Sequence, residues 1–322
     1  MFTFLHKLAA AALLCAPAHW MLAAAPLSDP PIVVATKAAI QRGDLSGAES
    51  TVAEYRRQHG DSPEAIEAFS WLARAALGIG SLDHAMDLSE QTRELVKKAL
   101  AGRGIDSQPY LGLALGAALE VEATVMDRMG QKSEAVHLLE TSLVTYRHTS
   151  LVARLQKNLN LLTLTGKPAP PIREHDLLFG ATLAPPGRGT PAGDGARNVQ
   201  LLFFWAHWCP DCKAQAPAIA RLAASLGPKG LTVIAPTRLY GYAAGGADTT
   251  PEAERKYIQA IFDKYYSFIP GIVVPLDPVD FDVYGVSTTP TLVVVDRHGI
   301  VRLYHPGTLS EQDLRAAIMP LL

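Results

Sequence analysis

Cysteine is scarce in this chain: three residues in 322, at positions 15, 209 and 212. That excludes a disulfide-stapled scaffold and makes the position of each sulfur more informative than their number. Charge of one sign is lacking too. Lys plus Arg number 29 against 31 Asp plus Glu, a formal net charge of -2, so no basic field is available to hold nucleic acid or anionic lipid. Long apolar runs are missing as well. The longest stretch, Leu8 to Ala16, is interrupted by Pro17 and His19, well short of the ~20 residues that a bilayer span needs. What is present is a 48% hydrophobic fraction, ample for packed cores, over a length that suggests about two domains.

The first residues carry one positive charge at Lys7, a short apolar core and the small residues Ala23 to Ala25. This pattern is that of a secretory leader, expected over 1–25, with cleavage near Ala23 to Ala25. An uncleaved membrane anchor is the weaker alternative. A lipid anchor on Cys15 is disfavoured by the bulk of Leu14 before it. The mature chain is expected to be exported, periplasmic or secreted, with no membrane span. Its cysteines would then be Cys209 and Cys212, spaced C-x-x-C, a loop too short to staple a fold of this size.

From Thr36 to Thr165 the pattern is helical, with Ala- and Leu-rich faces. Three stretches resemble one another: Arg42 to Ala48, Ile79 to Ala85 and Met129 to Ala135, each with Gly followed five residues later by Ala. The Gly suits a tight helix-to-helix turn and the Ala lets the next helix approach closely. These stretches resemble the turn of the tetratricopeptide (TPR) repeat. Gly43 to Gly80 covers 37 positions and Gly80 to Gly130 covers 50, against a family period of about 34, so the array is degenerate, with Ala101 to Pro109 an inserted loop. Such a region is either a concave surface for a protein partner or a scaffold packed on the rest of the chain. Trp71, Tyr55 and Phe69 are expected in its core.

Gly166-Lys-Pro-Ala-Pro-Pro171 breaks the helical pattern and marks the expected boundary between an all-α domain over 30–165 and an α/β domain over 166–322. Pro185 to Gly195 reads as a loop. Its Gly187-Arg-Gly-Thr-Pro-Ala192 fits G-x-G-x-x-A formally, but it follows Pro185-Pro186 and contains Pro191, which excludes a dinucleotide site. Beyond it Val199 to Trp205 reads as a buried strand, Cys209 to Leu226 as a helix and Leu231 to Pro236 as a strand. Thr250-Pro251-Glu252 opens a helix to about Tyr266, and Ile272 to Leu276 reads as a third strand. Thr291 to Val295 and Ile300 to Tyr304 read as a hairpin, and Ser310 to Asp313 as the capping box of a last helix. This order gives a central mixed sheet flanked by helices. Arg173-Glu-His-Asp176 reads as a solvated linker.

Cys209 falls where the first buried strand passes into a helix. Unpaired N–H groups and the positive end of the helix dipole stabilise a thiolate there, below the free value of about 8.5. Cys212, one turn on, is within reach of a mixed disulfide at Cys209, so the spacing supplies a nucleophile and a resolving thiol. Structural zinc wants four ligands, and two thiolates with His207 leave that set incomplete, so no metal is expected.

Phe204-Trp-Ala-His-Trp-Cys-Pro-Asp-Cys-Lys213, with Pro217 eight residues after Cys209, resembles the active site of thioredoxin-fold oxidoreductases. Ser287-Thr-Thr-Pro-Thr291 resembles the cis-proline segment of that fold, and Asp296-Arg-His-Gly299 the hairpin after it. The exported TlpA/ResA-like branch is the closest match, over about Lys167 to Leu322. The resemblance implies an α/β thioredoxin-like fold and thiol–disulfide exchange with protein clients, fed by an upstream protein dithiol and needing no bound cofactor. It implies catalytic roles for Cys209 and Cys212 and substrate positioning by Thr289 and a cis Pro290; Trp208 reads as a wall beside the sulfurs that also positions substrate, and Pro210, Asp211 and Gln215, next to the cysteines, as redox-tuning positions. Two positions depart from the pattern: Phe203 stands where thioredoxins carry a buried acid, and Gln215 where ResA-like proteins carry a glutamate. The Cys212 proton is left with His207, Lys213 or solvent as acceptors, and His207 reads more readily as a surface loop residue. Asp211 opposes ionisation of its neighbour and is expected to move the pair towards the reducing end of the range. A TPR-like adaptor with a sensing or vestigial cysteine pair is the alternative function.

Overall fold

The computed structural model describes residues 28–180 and 198–322. The expected leader over 1–25, Cys15 and the loop over 185–195 lie outside the described residues.

Seven helices come first among the described residues: α1 (Pro31–Gln41), α2 (Leu45–His59), α3 (Pro63–Gly78), α4 (Leu82–Leu100), α5 (Pro109–Arg128), α6 (Lys132–Thr145) and α7 (Val152–Thr163). The three expected turns fall between α1 and α2, α3 and α4, and α5 and α6. Gly43, Gly80 and Gly130 adopt φ of +78°, +79° and +79°, a region closed to most side chains. Ala48, Ala85 and Ala135 are fully buried, so each second helix closes onto its partner where a larger side chain would hold it off. Asp44 caps α2 by accepting from the Gly47 N–H, and Ser62 caps α3 ahead of Pro63. The loop at Ala101 to Pro109 contains a 3-10 turn over Ile105–Ser107, pinned by the buried Ile105.

The helices share two apolar clusters. One gathers Val33, Val52, Phe69 and Leu72, with Tyr55 and Trp71 packed on its margin. The other gathers Ile66, Leu111, Leu139 and Leu155. Glu67 is buried on α3, and its Oε2 has no hydrogen-bond partner among the described residues. Burial, then the nearby Asp29, raises its carboxyl from 4.5 to about 7. The folded chain therefore binds a proton there that the unfolded chain releases. Its contribution to stability is complete below pH 4.5 and is lost as pH rises through about 7. Glu67→Gln, uncharged at all pH, is expected to raise stability by about 1–3 kcal/mol at about pH 9 and to change little at pH 4.5. Urea unfolding at the two pH values checks this, and an equal gain at both contradicts it.

The described residues after α7 build a four-stranded sheet. β2 (Val199–Phe204) runs parallel to β3 (Leu231–Ile234) and antiparallel to β5 (Thr291–Val295), which pairs antiparallel with β6 (Val301–Pro306). The strand order is β3–β2–β5–β6. β2 and β5 are nearly continuous apolar runs because helices cover the sheet. The flanking helices are α8 (Pro210–Leu226), α9 (Pro251–Tyr265), α10 (Pro278–Val283) and α11 (Glu311–Ile318). Trp205, Phe203, Phe204, Phe262, Tyr266, Phe281 and Tyr284 fill the core. The expected thioredoxin-like mixed sheet and its helices are present.

One expectation of the fold needs correction. The strand expected over Ile272 to Leu276 narrows to β4 (Val274–Pro275), which pairs with β1 (Leu177–Phe179) and joins the end of β3 only through isolated bridges. Arg173 to Asp176 stays largely solvent-exposed, as expected, but it is tethered rather than free. The Arg173 N–H donates to the Asp280 carboxylate, His175 lies 3.5 Å from Asp277, and Asp176 pairs with Arg255 at 2.8 Å.

α7 joins the helical unit to the sheet unit. Gly285, with φ +62°, lies against the α7 backbone at Gln156 and Lys157, where a Cβ would overlap main-chain atoms. The Asn160 side chain donates to the Val283 carbonyl at 3.3 Å. Leu164 is buried in the core of the sheet unit, and Gly166, Lys167 and Ala169 exchange main-chain hydrogen bonds with Gly299 and Val301.

Candidate active site

The end of β2 carries the chain through Trp205 and His207 into α8. Trp205 is fixed in the core by its indole N–H, which donates to the Ala235 carbonyl at 2.9 Å. Cys209 is the N-cap residue of α8, with Pro210 at the first helical position. The Cys212 N–H donates to Cys209 Sγ at 3.0 Å, so an otherwise unpaired helix donor points at the first sulfur. The two cysteines are joined in a disulfide, with Cα atoms 5.3 Å apart. Cys209 is 2% exposed and Cys212 is fully buried, while Trp208, Pro210 and Asp211 beside them are exposed.

Thr289 and Pro290 come to the same place from the loop before β5. The Thr289–Pro290 peptide bond is cis, as the resemblance implied. The Thr289 carbonyl oxygen lies 3.4 Å from Cys209 Sγ. Its hydroxyl Oγ1 is buried without a hydrogen-bond partner among the described residues. Thr291 Oγ1 donates to the Thr288 carbonyl at 2.7 Å and holds the loop in shape. Trp208, 44% exposed, stands edge-on to Tyr240 at 5.6 Å.

The two positions that lack an acid have found other uses. Phe203 packs against Tyr266 in the core at 6.0 Å between ring centres. Gln215 is buried and forms a two-bond bridge to one residue: its Nε2 donates to the Leu309 carbonyl at 2.9 Å and its Oε1 accepts from the Leu309 N–H at 3.0 Å. It therefore positions a peptide group and ties α8 to the segment before α11. Lys213 places its Nζ 5.0 Å from the centre of the Tyr265 ring.

His207 is the main departure from the sequence reading. It is buried, 1% exposed, within rings of Tyr240, Tyr242 and Tyr257, each centred 5.4 Å away and close to perpendicular. Its Nε2 lies 3.4 Å from Glu254 Oε1 without hydrogen-bond geometry. Burial first, then the Lys213 charge, pushes the imidazole down to about 4, so the ring is neutral at pH 7. Glu254, also buried, accepts from the Tyr240 and Gly241 N–H groups at 2.5 and 2.8 Å. Burial raises its carboxyl against the pull of those donors. Glu254 and the three tyrosines were not singled out in the sequence. The Thr250-Pro251 cap located α9, but nothing in its pattern shows that its first turn reaches the cysteine loop.

Among the described residues, no group of three or more His, Cys, Asp or Glu side chains converges as a metal site, and no helix is long and apolar enough to cross a membrane.

No family model matches the chain. Curated relatives do. The thioredoxin-like protein YneN of Bacillus subtilis is 29% identical over 128 residues, 40% of this chain and 68% of its own length. The thiol:disulfide interchange protein DsbE of Xylella fastidiosa is 26% identical over 129 residues, 40% of this chain and 57% of its own. The thiol-disulfide oxidoreductase ResA of Halalkalibacterium halodurans is 27% identical over 112 residues, 35% of this chain and 56% of its own. The chain thus spans little more than half the length of two of these relatives. Among solved structures, a secreted Mycobacterium tuberculosis disulfide oxidoreductase homologous to E. coli DsbE is 22% identical over 40% of this chain and 88% of its own, with a TM-score of 0.31. With its cysteine motif at the head of α8, its strand order and these relatives, the chain carries a thioredoxin-like fold and, over about 40% of its length, is a homologue of the DsbE- and ResA-named thiol-disulfide oxidoreductases.

Proposed function

We propose that this chain is an exported thiol–disulfide oxidoreductase acting on protein clients, built from a leader over 1–25, an all-α TPR-like unit over 30–165 and a thioredoxin-like unit over 166–322. One observation carries the reading: a bonded Cys209–Cys212 pair at the start of α8, with the Thr289 carbonyl 3.4 Å from the Cys209 sulfur. In the reducing direction the Cys209 thiolate attacks one sulfur of a client disulfide. A Cys209–client bond forms, the client bond breaks, and the other client sulfur leaves as a thiolate that takes up a proton. Cys212 then gives its proton to solvent and attacks Cys209 Sγ, closing the internal disulfide and releasing the second client sulfur. The client gains two electrons and two protons, and an upstream protein dithiol resets the pair. No cofactor takes part.

Thr289 offers its carbonyl, and Pro290 fixes the turn beside it, so an extended client segment is held against the sulfur while Trp208 forms an exposed wall. His207, held neutral in its tyrosine cage, fits a role in seating the loop into α8; the Cys212 proton is left to solvent. The exposed Asp211 supports the reducing direction, because a carboxylate beside a thiolate opposes its ionisation. Against glutathione buffers, Asp211→Asn is expected to raise the potential of the pair; an unchanged or lower value removes that argument. The function itself is tested by insulin reduction. The parent chain is expected to accelerate precipitation in dithiothreitol and Cys209→Ser to fall to the background rate. A parent no faster than background leaves the adaptor reading in its place.

A further inference from the structure

Beside the cis-proline loop the helical and sheet units enclose a cleft of about 640 Å3. Its floor is α5 and α7, and its rim on the sheet side is Ser287 and Thr288, the two residues before Thr289. Arg74, Arg154 and Lys157 line it, with Glu120 among them. Arg154 Nε and Lys157 Nζ each lie 3.1 Å from one Glu120 oxygen, and Arg74 Nη2 lies 4.0 Å from the other. One carboxylate thus faces three cations, so positive charge is in excess. Asp106, which accepts from the N–H and hydroxyl of the lining residue Ser150, adds a second negative charge at the margin, and the buried Glu67 does not line the cleft, so three cations still face two carboxylates.

The cations are held in place. Arg154 crosses α5 at Gly116, where a Cβ would fall 2.9 Å from its Cδ and Nη1, and that Nη1 donates to the Leu113 carbonyl at 3.1 Å. Arg154 and Lys157 side chains are only 17% and 13% exposed, so little conformational freedom is lost when an anion meets them. The position is fixed as well, because Gly285, close before Ser287 in the chain, seats α7 against the sheet unit. Two residues of extended chain span at most roughly 7 Å, so a client strand that runs from Thr289 towards Ser287 reaches the cleft within that distance.

We propose that this cleft is a second contact for the client of the exchange reaction and takes an acidic segment roughly two to four residues from the client's reacting cysteine. The inference rests on the exchange reading above. It gives the helical unit a task in choosing clients, since charge across a contact sets specificity and encounter rate.

The test uses the full chain in its disulfide form. Two fluorescein-labelled peptides of equal length carry serine in place of cysteine, one with Asp and Glu at two to four residues on either side, the other with Asn and Gln. By fluorescence anisotropy at low salt the acidic peptide is expected to bind about tenfold more tightly, with the difference shrinking in 0.5 M NaCl. Arg154→Gln with Lys157→Gln is expected to remove the preference. Because that pair also holds Glu120, Ser287→Glu is the second variant: it adds an anion at the rim, leaves the cluster intact, and is expected to remove the preference too. Equal affinity for both peptides in the parent chain, no binding of either included, overturns the proposal, as does a preference that survives both variants. Insulin reduction separates this from the exchange reading. Turnover without acidic preference refutes only the cleft, while acidic preference without turnover refutes the exchange and leaves an anion-selective peptide site.

Discussion

The Cys212→Ala variant is expected to accumulate a covalent adduct with its client through Cys209 and to reduce insulin no faster than dithiothreitol alone. The two cysteines divide the work at the start of α8. Cys209 receives the Cys212 main-chain N–H, which alanine also supplies, so the first sulfur keeps the donor that favours its thiolate. Only the resolving sulfur is lost, and with it the route from mixed disulfide to products. Cys212 is fully buried, so the variant loses a sulfur's packing, a cost of about 1 kcal/mol that leaves the fold in place. Non-reducing electrophoresis reads the adduct, and mass spectrometry places it on Cys209. An absent adduct, or one that persists when Cys209 is serine, contradicts the assignment of nucleophile and resolver.

Gly285→Ala should be the most damaging single-atom addition outside the cysteines. At φ +62° a non-glycine residue costs about 1–2 kcal/mol. The added Cβ would also meet the main chain of α7 at Gln156 and Lys157. A hydrogen-bonded helix backbone cannot rotate aside as a side chain can, and overpacking of this kind costs about 1–3 kcal/mol. The sum, roughly 2–5 kcal/mol, falls on the seam between the helical and sheet units, so α7 and α10 should lose amide-exchange protection first. Gly43→Ala is the control. It shares the positive φ, but its Cβ would meet nothing within 4 Å, so only the conformational cost remains. If Gly285→Ala is no worse than Gly43→Ala, the close approach at α7 is energetically empty.

What the sequence disclosed and what it hid divide along the length of the interactions. The three Gly-to-Ala turns, the Thr250-Pro251 and Ser310 caps, the cysteine motif at the head of a helix and the Thr289-Pro290 segment are local signals. Each appears in the structure where it was expected. His207 reads as a loop residue because the rings that bury it, Tyr240, Tyr242 and Tyr257, lie 33 to 50 positions further on. The tethers of the exposed segment Arg173 to Asp176 were hidden for the same reason, since its partners sit on α9 and around α10. α10 itself carries a visible start, Asp277-Pro278, with the Asp277 side chain accepting from the Val279 N–H. At six residues it is too short for a helical period to declare itself. Gln215 sits between these cases. Its chemistry, an amide suited to a peptide group, follows from the residue type, but Leu309 as that group does not.

The way α7 runs into the sheet unit also bears on where this protein can be cut. Leu164 belongs to the core of the sheet unit although it precedes the proline-rich break, and the Lys167 carbonyl accepts from the Val301 N–H at 2.9 Å. A fragment begun at the break would arrive with a hole where Leu164 had been and a frayed margin along Val301. A hybrid that grafts another helical array onto this redox unit should therefore keep the last turn of α7 as native sequence and place its splice upstream of Leu159.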